Sequence, residues 1–416
     1  MTTAELIAAA PRPPADFNPV DQQFIANPYP MLDRLRQECP VFYSPDFGFW
    51  GIVRYEAIEQ CLSDFETFCN GAVRFPPVPD SLASRVPEKF FSKAFIAMDP
   101  PEHTKYRKAG NQGFTRGRMK LQEEPVREIM KEILDEVEAK GHCDFMQDIA
   151  YTLTVRTIMA LLEVPAERTE QMRALAEDFP SIVQDGIDPM PEQERNERWG
   201  RMVEAREYFA GVIEERRANP GPDLLSEYAS MRDENGEYLF DTQRLVTHCT
   251  EMIFGGTDTT ANTMAFALRV LQEYPELRQQ ILDDPSLIEN LIEEVLRYQS
   301  VTVGIFKTTT RDVEVDGVTI PEGSLCWLTL AAAGRDGERF ENPDTFDVRR
   351  ENAKDHLTFG KGRHKCIGAP LARVEARVGL EELFKRLPNI HITEGQDLKF
   401  QEIMLTNVLK HLDVAW

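Results

Sequence analysis

One cysteine of this chain stands where a sulfur anion could be held. Cys366 lies in the glycine-broken stretch Phe359-Gly-Lys-Gly-Arg-His-Lys-Cys-Ile-Gly368, and an apolar-periodic run, Ala369-Pro-Leu-Ala-Arg-Val-Glu-Ala-Arg-Val378, follows at once. A helix starting there offers unpaired N–H groups and a positive dipole end, and His364 and Lys365 add basic neighbours. Gly360, Gly362 and Gly368 let the backbone turn tightly and approach a flat ligand. A lone cysteine is most often a small buried hydrophobe; this loop offers the other possibility, a thiolate set against a bound group.

A second stretch breaks the rule of its own surroundings. Leu245, Cys249, Met252, Ile253, Met264, Leu268 and Leu271 predict one long buried helix, capped by Asp241 and running to about Tyr274. In its middle stands Phe254-Gly-Gly-Thr-Asp-Thr-Thr260. An interior glycine costs about 1 kcal/mol relative to alanine, and Asp and Thr compete for the backbone. Such violations mark functional or strained sites: either Gly255 and Gly256 form a packing notch, or Asp258 and Thr259 do acid–base work. Glu251 lies four residues before Gly255 and so shares its face. An internally paired or solvated glutamate is the ordinary case; one facing a ligand would favour a polar or cationic group on it.

Three further sets of polar residues fall at helical spacing. Met98-Asp-Pro-Pro-Glu-His-Thr-Lys-Tyr-Arg107 predicts a helix from Asp99 or Pro100, with His103 and Arg107 on one face, able to clamp a carboxylate. Glu294 and Arg297 lie three apart in Asn290-Leu-Ile-Glu-Glu-Val-Leu-Arg-Tyr298. Alone such a pair contributes only about 0.2–0.5 kcal/mol. Arg350 closes the segment Asn342-Pro-Asp-Thr-Phe-Asp-Val-Arg-Arg350.

The elements around these residues are mostly helical. Tyr29–Arg36 reads as a short amphipathic helix, and Val41–Tyr43 with Phe49–Val53 as a hairpin. Residues 70–98 combine Pro76, Pro77, Pro79 and Pro87 with Val73, Phe75, Phe90, Phe91 and Phe95, the composition of an aromatic lid. Helical periodicity dominates from about 120 to 240, with a polar break at Gln184–Met190. Val301–Ile320 reads as strands turning at Asp316-Gly317. No linker or repeat divides residues 1–416, which are expected to form one domain, mainly α with small β-sheets (α+β).

Composition narrows the function classes. With 42% hydrophobic and 28% charged residues, the 416-residue chain can enclose a cofactor. A net charge of −23 disfavours nucleic acid and anionic membranes as partners. Seven cysteines without C-x-x-C spacing argue against a disulfide framework or a zinc site and fit a reducing cytoplasm. No basic leader and no spanning apolar run are seen, so no membrane anchor is expected.

The run Phe-Gly-x-Gly-x-His-x-Cys-x-Gly resembles the cysteine-ligand loop of the cytochromes P450. The Asp-Pro-Pro-x-His-x-x-x-Arg, Gly-Gly-x-Asp-Thr and Glu-x-x-Arg runs stand in that family's order. The resemblance implies haem b (iron protoporphyrin IX) between the long central helix and the cysteine-loop helix. Cys366 would be its axial ligand, whose electron donation favours O–O cleavage. By the same resemblance Phe359 packs beside the sulfur, and His103, Arg107 and His364 reach the propionates. Gly255 and Gly256 make room for the cofactor and dioxygen, Gly368 lets the loop approach the cofactor, and Asp258 and Thr259 deliver protons to O2. Glu294, Arg297 and Arg350 form a fold clamp. The chain departs from the pattern at Lys307, where the family usually has arginine; lysine can neutralise a propionate as a point charge, without the bidentate fork. Phe254, Val301, Val303, Ile305, Leu405 and Thr406 are implied pocket residues, and the helix pair flanking the break at 184–190 a mobile roof.

The implied activity is monooxygenation of a small apolar substrate. Electrons would come from NAD(P)H through a separate ferredoxin or flavodoxin, docking on Arg107, Lys108, Arg116, Arg118, Lys361, Arg363 and Lys365. Oxidase or peroxygenase outcomes are the nearest alternative, and a non-catalytic haem-based sensor a more distant one. A hydrolase with Cys366 as nucleophile finds no partner constellation in the sequence.

Overall fold

The computed structural model describes residues 2–70, 76–87, 93–186 and 189–416. It is 57% helical with small sheets. In chain order, the helices that bear on the site are α1 (Tyr29–Glu38), α2 (Glu102–Gly113), α3 (Glu123–Val137), α4 (Tyr151–Leu161), α5 (Thr169–Gln184), α6 (Glu192–Ala218), α7 (Thr242–Glu273), α8 (Ile288–Tyr298) and α9 (Ala369–Arg386). The strands that bear on it are β1 (Val41–Ser44), β2 (Phe49–Ile52), β3 (Phe68–Cys69), β4 (Ile305–Thr309), β5 (Val313–Val315), β6 (Val318–Ile320) and β7 (Leu325–Leu328). Of the expected lid, Val73, Phe75, Phe90 and Phe91 lie outside the described residues.

The chain makes two compact units, each built from separated stretches. One comprises Met1–Val73, Asn262–Cys366 and Pro388–Trp416; the other comprises Arg74–Ala261 and Ile367–Leu387.

The first unit is organised on a five-stranded sheet, ordered β1-β2-β7-β4-β3. The expected hairpin pairs Val41 with Ile52 and Ser44 with Phe49, which sends alternate side chains to opposite faces. β2 runs parallel to β7, and β7 antiparallel to β4, so that Trp50 and Trp327, at 1% and 0% exposure, enter the core. β3 pairs with the end of β4, setting Phe68 opposite Thr309. At the tight β5–β6 turn, Asp316 and Gly317 have φ of 48° and 75°, the left-handed region a two-residue hairpin requires.

The second unit is helical. α3 buries Val126, Met130, Ile133, Leu134 and Val137, a 3.6-residue stripe, and Arg127 ties it to Glu381 of α9 at 3.0 Å. On α5, the buried Asp178 receives Arg198 at 2.9 Å and Arg201 at 2.7 Å, both from α6. α7 begins where Asp241 accepts the Arg244 N–H at 2.8 Å, as its capping role predicts. Among the described residues no helix is long and apolar enough to cross a membrane.

Candidate functional site

In the first unit, the cysteine loop is shaped by backbone geometry. Gly360 and Gly362 have φ of 65° and 68°, and a Cβ on Gly362 would come within 2.9 Å of the Leu62 carbonyl. The Cys366 N–H donates to the Phe359 carbonyl at 2.7 Å, closing the loop on itself. Residues 362–364 form a short 3₁₀ turn that carries His364. Of the seven cysteines Cys366 is the exposed one; the others are buried or half-buried. Burial pushes the Cys61 thiol up to about 12 and raises those of Cys249 and Cys326 as well. Desolvation makes those thiols poor sources of a thiolate.

The loop is strapped to α8 by residues that the motifs do not single out. The Thr358 N–H donates to His356 Nδ1 at 3.2 Å, so the ring proton sits on Nε2, which lies 3.3 Å from a Glu293 carboxylate oxygen. The Thr358 hydroxyl donates to the Leu296 carbonyl at 2.7 Å. The sequence signals were the doubled acid Glu293-Glu294 and a histidine three residues before Phe359. Next to this pair, Glu294 and Arg297 are wholly buried and joined at 2.7 Å, and Arg350 Nε donates to Glu294 at 3.0 Å. The expected triad is assembled, and the third member is Arg350.

Lys307 is buried on β4, where its ammonium donates to Asn70, the residue that follows β3. Val301 and Val303 are buried, and Ile305 is half-buried. Leu405 accepts the Val303 N–H at 2.9 Å, and Thr302 bridges to Thr406, so the expected pocket residues of this unit lie on two paired segments.

In the second unit, α2 starts at Glu102, slightly later than expected, with His103 N–H on the Asp99 carbonyl at 3.0 Å. His103 is buried, and Arg107, one turn on, directs Nε to Asn111 at 2.8 Å. Gly368 occupies the N-cap position of α9.

The two glycines of α7 have separate jobs. A Cβ on Gly256 would fall 2.7 Å from Ile158 Cδ1, so Gly256 is a packing notch for α4. A Cβ on Gly255 would meet no described atom within 4 Å. Gly255 thus opens a strip of helix surface beside the buried Asp258 and the half-buried Thr259. The Thr259 hydroxyl donates back to the Gly255 carbonyl at 2.9 Å, and Thr257 to Ile253 at 2.7 Å, which accommodates threonines inside the helix. Phe254 stacks on Phe179 of α5 with centroids 4.5 Å apart. Glu251 is the internally paired glutamate: its carboxylate accepts the N–H groups of Phe95 at 2.9 Å and Ile96 at 3.1 Å.

Glu375 of α9 was not foreseen, although an acid between Leu371 and Val378 on a buried face was a visible signal. It is 1% exposed, neither of its carboxyl oxygens has a hydrogen-bond partner among the described residues, and burial raises its carboxyl well above the ordinary glutamate range.

The chain matches the model of the cytochrome P450 family over residues 74–411. It belongs to that family. Among curated P450 relatives, the vitamin D(3) 25-hydroxylase of Pseudonocardia autotrophica is 32% identical over 94% of both chains. The epothilone C/D epoxidase of Sorangium cellulosum is 29% identical over 98% of both. Among solved structures, cytochrome P450 CREJ in complex with (4-ethylphenyl) dihydrogen phosphate superposes with a TM-score of 0.89 at 28% identity, covering 96% of this chain and 99% of that one. The protein is accordingly an oxidoreductase of the P450 monooxygenase class, and the family implies a haem cofactor. Residues of each unit fit such a group on their own terms: an exposed thiol in a closed glycine loop in one, an open glycine strip on a buried helix in the other.

Proposed function

We propose that this chain is a cytoplasmic haem b monooxygenase that inserts one oxygen atom of O2 into a small apolar molecule, with Cys366 as the thiolate ligand. The observation that carries the reading is the one exposed cysteine, set in a glycine-shaped loop whose N–H closes on Phe359. When bound, haem supplies the redox and dioxygen chemistry that side chains lack. Phe359 would pack beside the sulfur, and Gly255 and Gly368 would leave room for the flat ligand. His103, Arg107, Lys307 and His364 would neutralise its propionates, Lys307 as a point charge oriented by Asn70. Asp258 would hold a proton at its carboxyl and Thr259 would pass it on through its hydroxyl. Phe254, Val301, Val303, Ile305, Leu405 and Thr406 would present apolar surface to the substrate. Relatives named for vitamin D(3) and the epothilones agree with a largely apolar substrate.

All 416 residues are proposed to act as one domain that receives electrons from a ferredoxin or flavodoxin and its NAD(P)H-dependent reductase. Of the basic positions expected to dock it, Arg118 pairs with Glu227 at 2.5 Å, Lys361 with Glu59, and Arg363 covers the Phe65 ring at 4.0 Å. Lys108, Arg116 and Lys365 are exposed and are the positions at which charge reversal should slow turnover most.

The reading is tested by recording the ferric absorption spectrum while titrating terpenes, fatty acids, steroids and small aromatic acids. One class is expected to move the Soret band from low to high spin and to stimulate NADH consumption with ferredoxin and reductase present. A colourless protein after expression with ample haem would defeat the reading.

A further inference from the structure

The segment that precedes α2 is fastened to the first half of α7 at several points. Lys93 pairs with Asp241 at 3.0 Å, and Arg244 with Glu102 at 2.6 Å, while the Arg244 guanidinium also covers the Tyr106 ring at 3.8 Å. Two turns beyond Arg244 on α7 sits Glu251, whose side chain is 9% exposed. Both of its carboxylate oxygens are used, Oε2 by the Phe95 N–H at 2.9 Å and Oε1 by the Ile96 N–H at 3.1 Å. A carboxylate that accepts two main-chain N–H groups in a poorly hydrated place is a strong, directional anchor.

The side chain of Phe95 supplies the matching anchor. It is 5% exposed; its ring lies 4.3 Å from that of the buried His248, and a Cβ on Gly110 of α2 would fall 2.8 Å from it. Phe95 is therefore seated between Gly110 of α2 and His248 of α7. The next residue has the opposite fate. Ile96 is 47% exposed, one of two large hydrophobic side chains left exposed among the described residues. Exposing isoleucine forgoes the burial that usually stabilises it, and here the backbone beneath it is held in place by a carboxylate.

We propose that Glu251 is a positioning residue that fixes Ile96 as an apolar, uncharged contact for the substrate, and so helps to set which substrates the enzyme accepts. The proposal rests on the monooxygenase reading for what the contact serves. It reverses the meaning of an acid on this helix face: the charge is spent on the backbone, and the ligand meets the isoleucine.

The test uses the haem-loaded protein and the variants Glu251→Gln, Glu251→Leu and Ile96→Phe. Hydrogen-exchange mass spectrometry reads the amides of Phe95 and Ile96 directly. Glu251→Leu should speed their exchange by about tenfold or more, and Glu251→Gln, which keeps the shape and one carbonyl acceptor, by less. The thiolate spectrum of the ferrous–CO complex should be unchanged in all three. Spectral titration then uses the neutral compound that most shifts the wild-type Soret band, beside an alkylamine of similar size. Glu251→Leu should weaken binding of the neutral compound by about tenfold. Ile96→Phe should reorder the panel while leaving exchange at the strap as in wild type.

Unaltered exchange in Glu251→Leu would overturn the anchor. Faster exchange with an unaltered ligand panel in every variant would overturn its role in specificity. Tight alkylamine binding lost in Glu251→Gln would show that the carboxylate faces the ligand instead. A wild-type protein without a thiolate spectrum would defeat the monooxygenase reading, and the exchange experiment would still decide whether the anchor exists.

Discussion

Replacing Glu294 with glutamine should destabilise the first unit severely, because it removes the one carboxylate that two buried guanidinium groups share. Glu294 and Arg297 are at 0% side-chain exposure and Arg350 at 8%. The carboxylate receives Arg297 Nε and Nη2, each at 2.7 Å, Arg350 Nε at 3.0 Å and the Asp347 N–H at 3.0 Å. Arg297 then spends its remaining donors on the carbonyls of Gly334, Pro343 and Thr345, at 2.7, 2.8 and 3.1 Å. Glutamine keeps the shape and offers one acceptor oxygen, but it leaves two positive charges without a counter-charge. Removing one partner from a buried pair costs about 3–5 kcal/mol. In urea, with a slope of about 3 kcal/mol/M, the unfolding midpoint followed by tryptophan fluorescence should fall by roughly 1–2 M. Glu294→Gln made on top of Arg350→Gln should cost less than it does alone, since one stranded charge is already gone. A midpoint within about 0.3 M of wild type would refute the reasoning, because that is roughly what a solvent-exposed pair would give.

Three further outcomes follow from the geometry. Gly255→Ala should leave the unfolding midpoint unchanged or raise it slightly, gaining up to about 1 kcal/mol of helix propensity, while lowering the ratio of Soret to protein absorbance; equal haem content would contradict the open strip. Gly256→Ala should cost about 1–3 kcal/mol by overpacking against Ile158, and Ile158→Val should recover much of it; a neutral Gly256→Ala would remove the notch. Burial holds the Glu375 carboxyl protonated above the ordinary range, so its contribution to stability is complete below about pH 4.3 and is lost as pH rises through the folded-state value, by up to about 1.4 kcal/mol per pH unit. Glu375→Gln should flatten that part of the stability profile; an identical slope in both proteins would contradict the assignment.

How much of this was legible beforehand depended on whether a feature lived in local spacing or in distant contact. The α7 cap at Asp241, the β1–β2 hairpin and the Asp316-Gly317 turn follow from short-range rules, and the structure places them within a residue or two of expectation. The Glu294–Arg297 pair was visible as helical spacing, yet its weight comes from burial and from Arg350, 53 positions beyond Arg297, which only a resemblance could suggest. Gly255 and Gly256 looked alike in sequence; what separates them is Ile158, supplied by another helix. Glu251 could be placed on a face by counting, but whether it met ligand, water or backbone depended on where Phe95 and Ile96 returned to it. Glu293 with His356, and the wholly buried Glu375, were missed because an acid within a buried pattern reads as an interruption until its surroundings are known.

The central claim is that Cys366 ligates a haem iron, and the ferrous–CO difference spectrum of the purified protein tests it most directly, with Cys366→His and Cys326→Ser made beside the wild type. Wild type and Cys326→Ser should show the long-wavelength Soret band that a thiolate ligand gives, since Cys326 is buried within its sheet. Cys366→His should bind haem and lose that band. A thiolate band that survives Cys366→His, or one abolished by Cys326→Ser, would contradict the account.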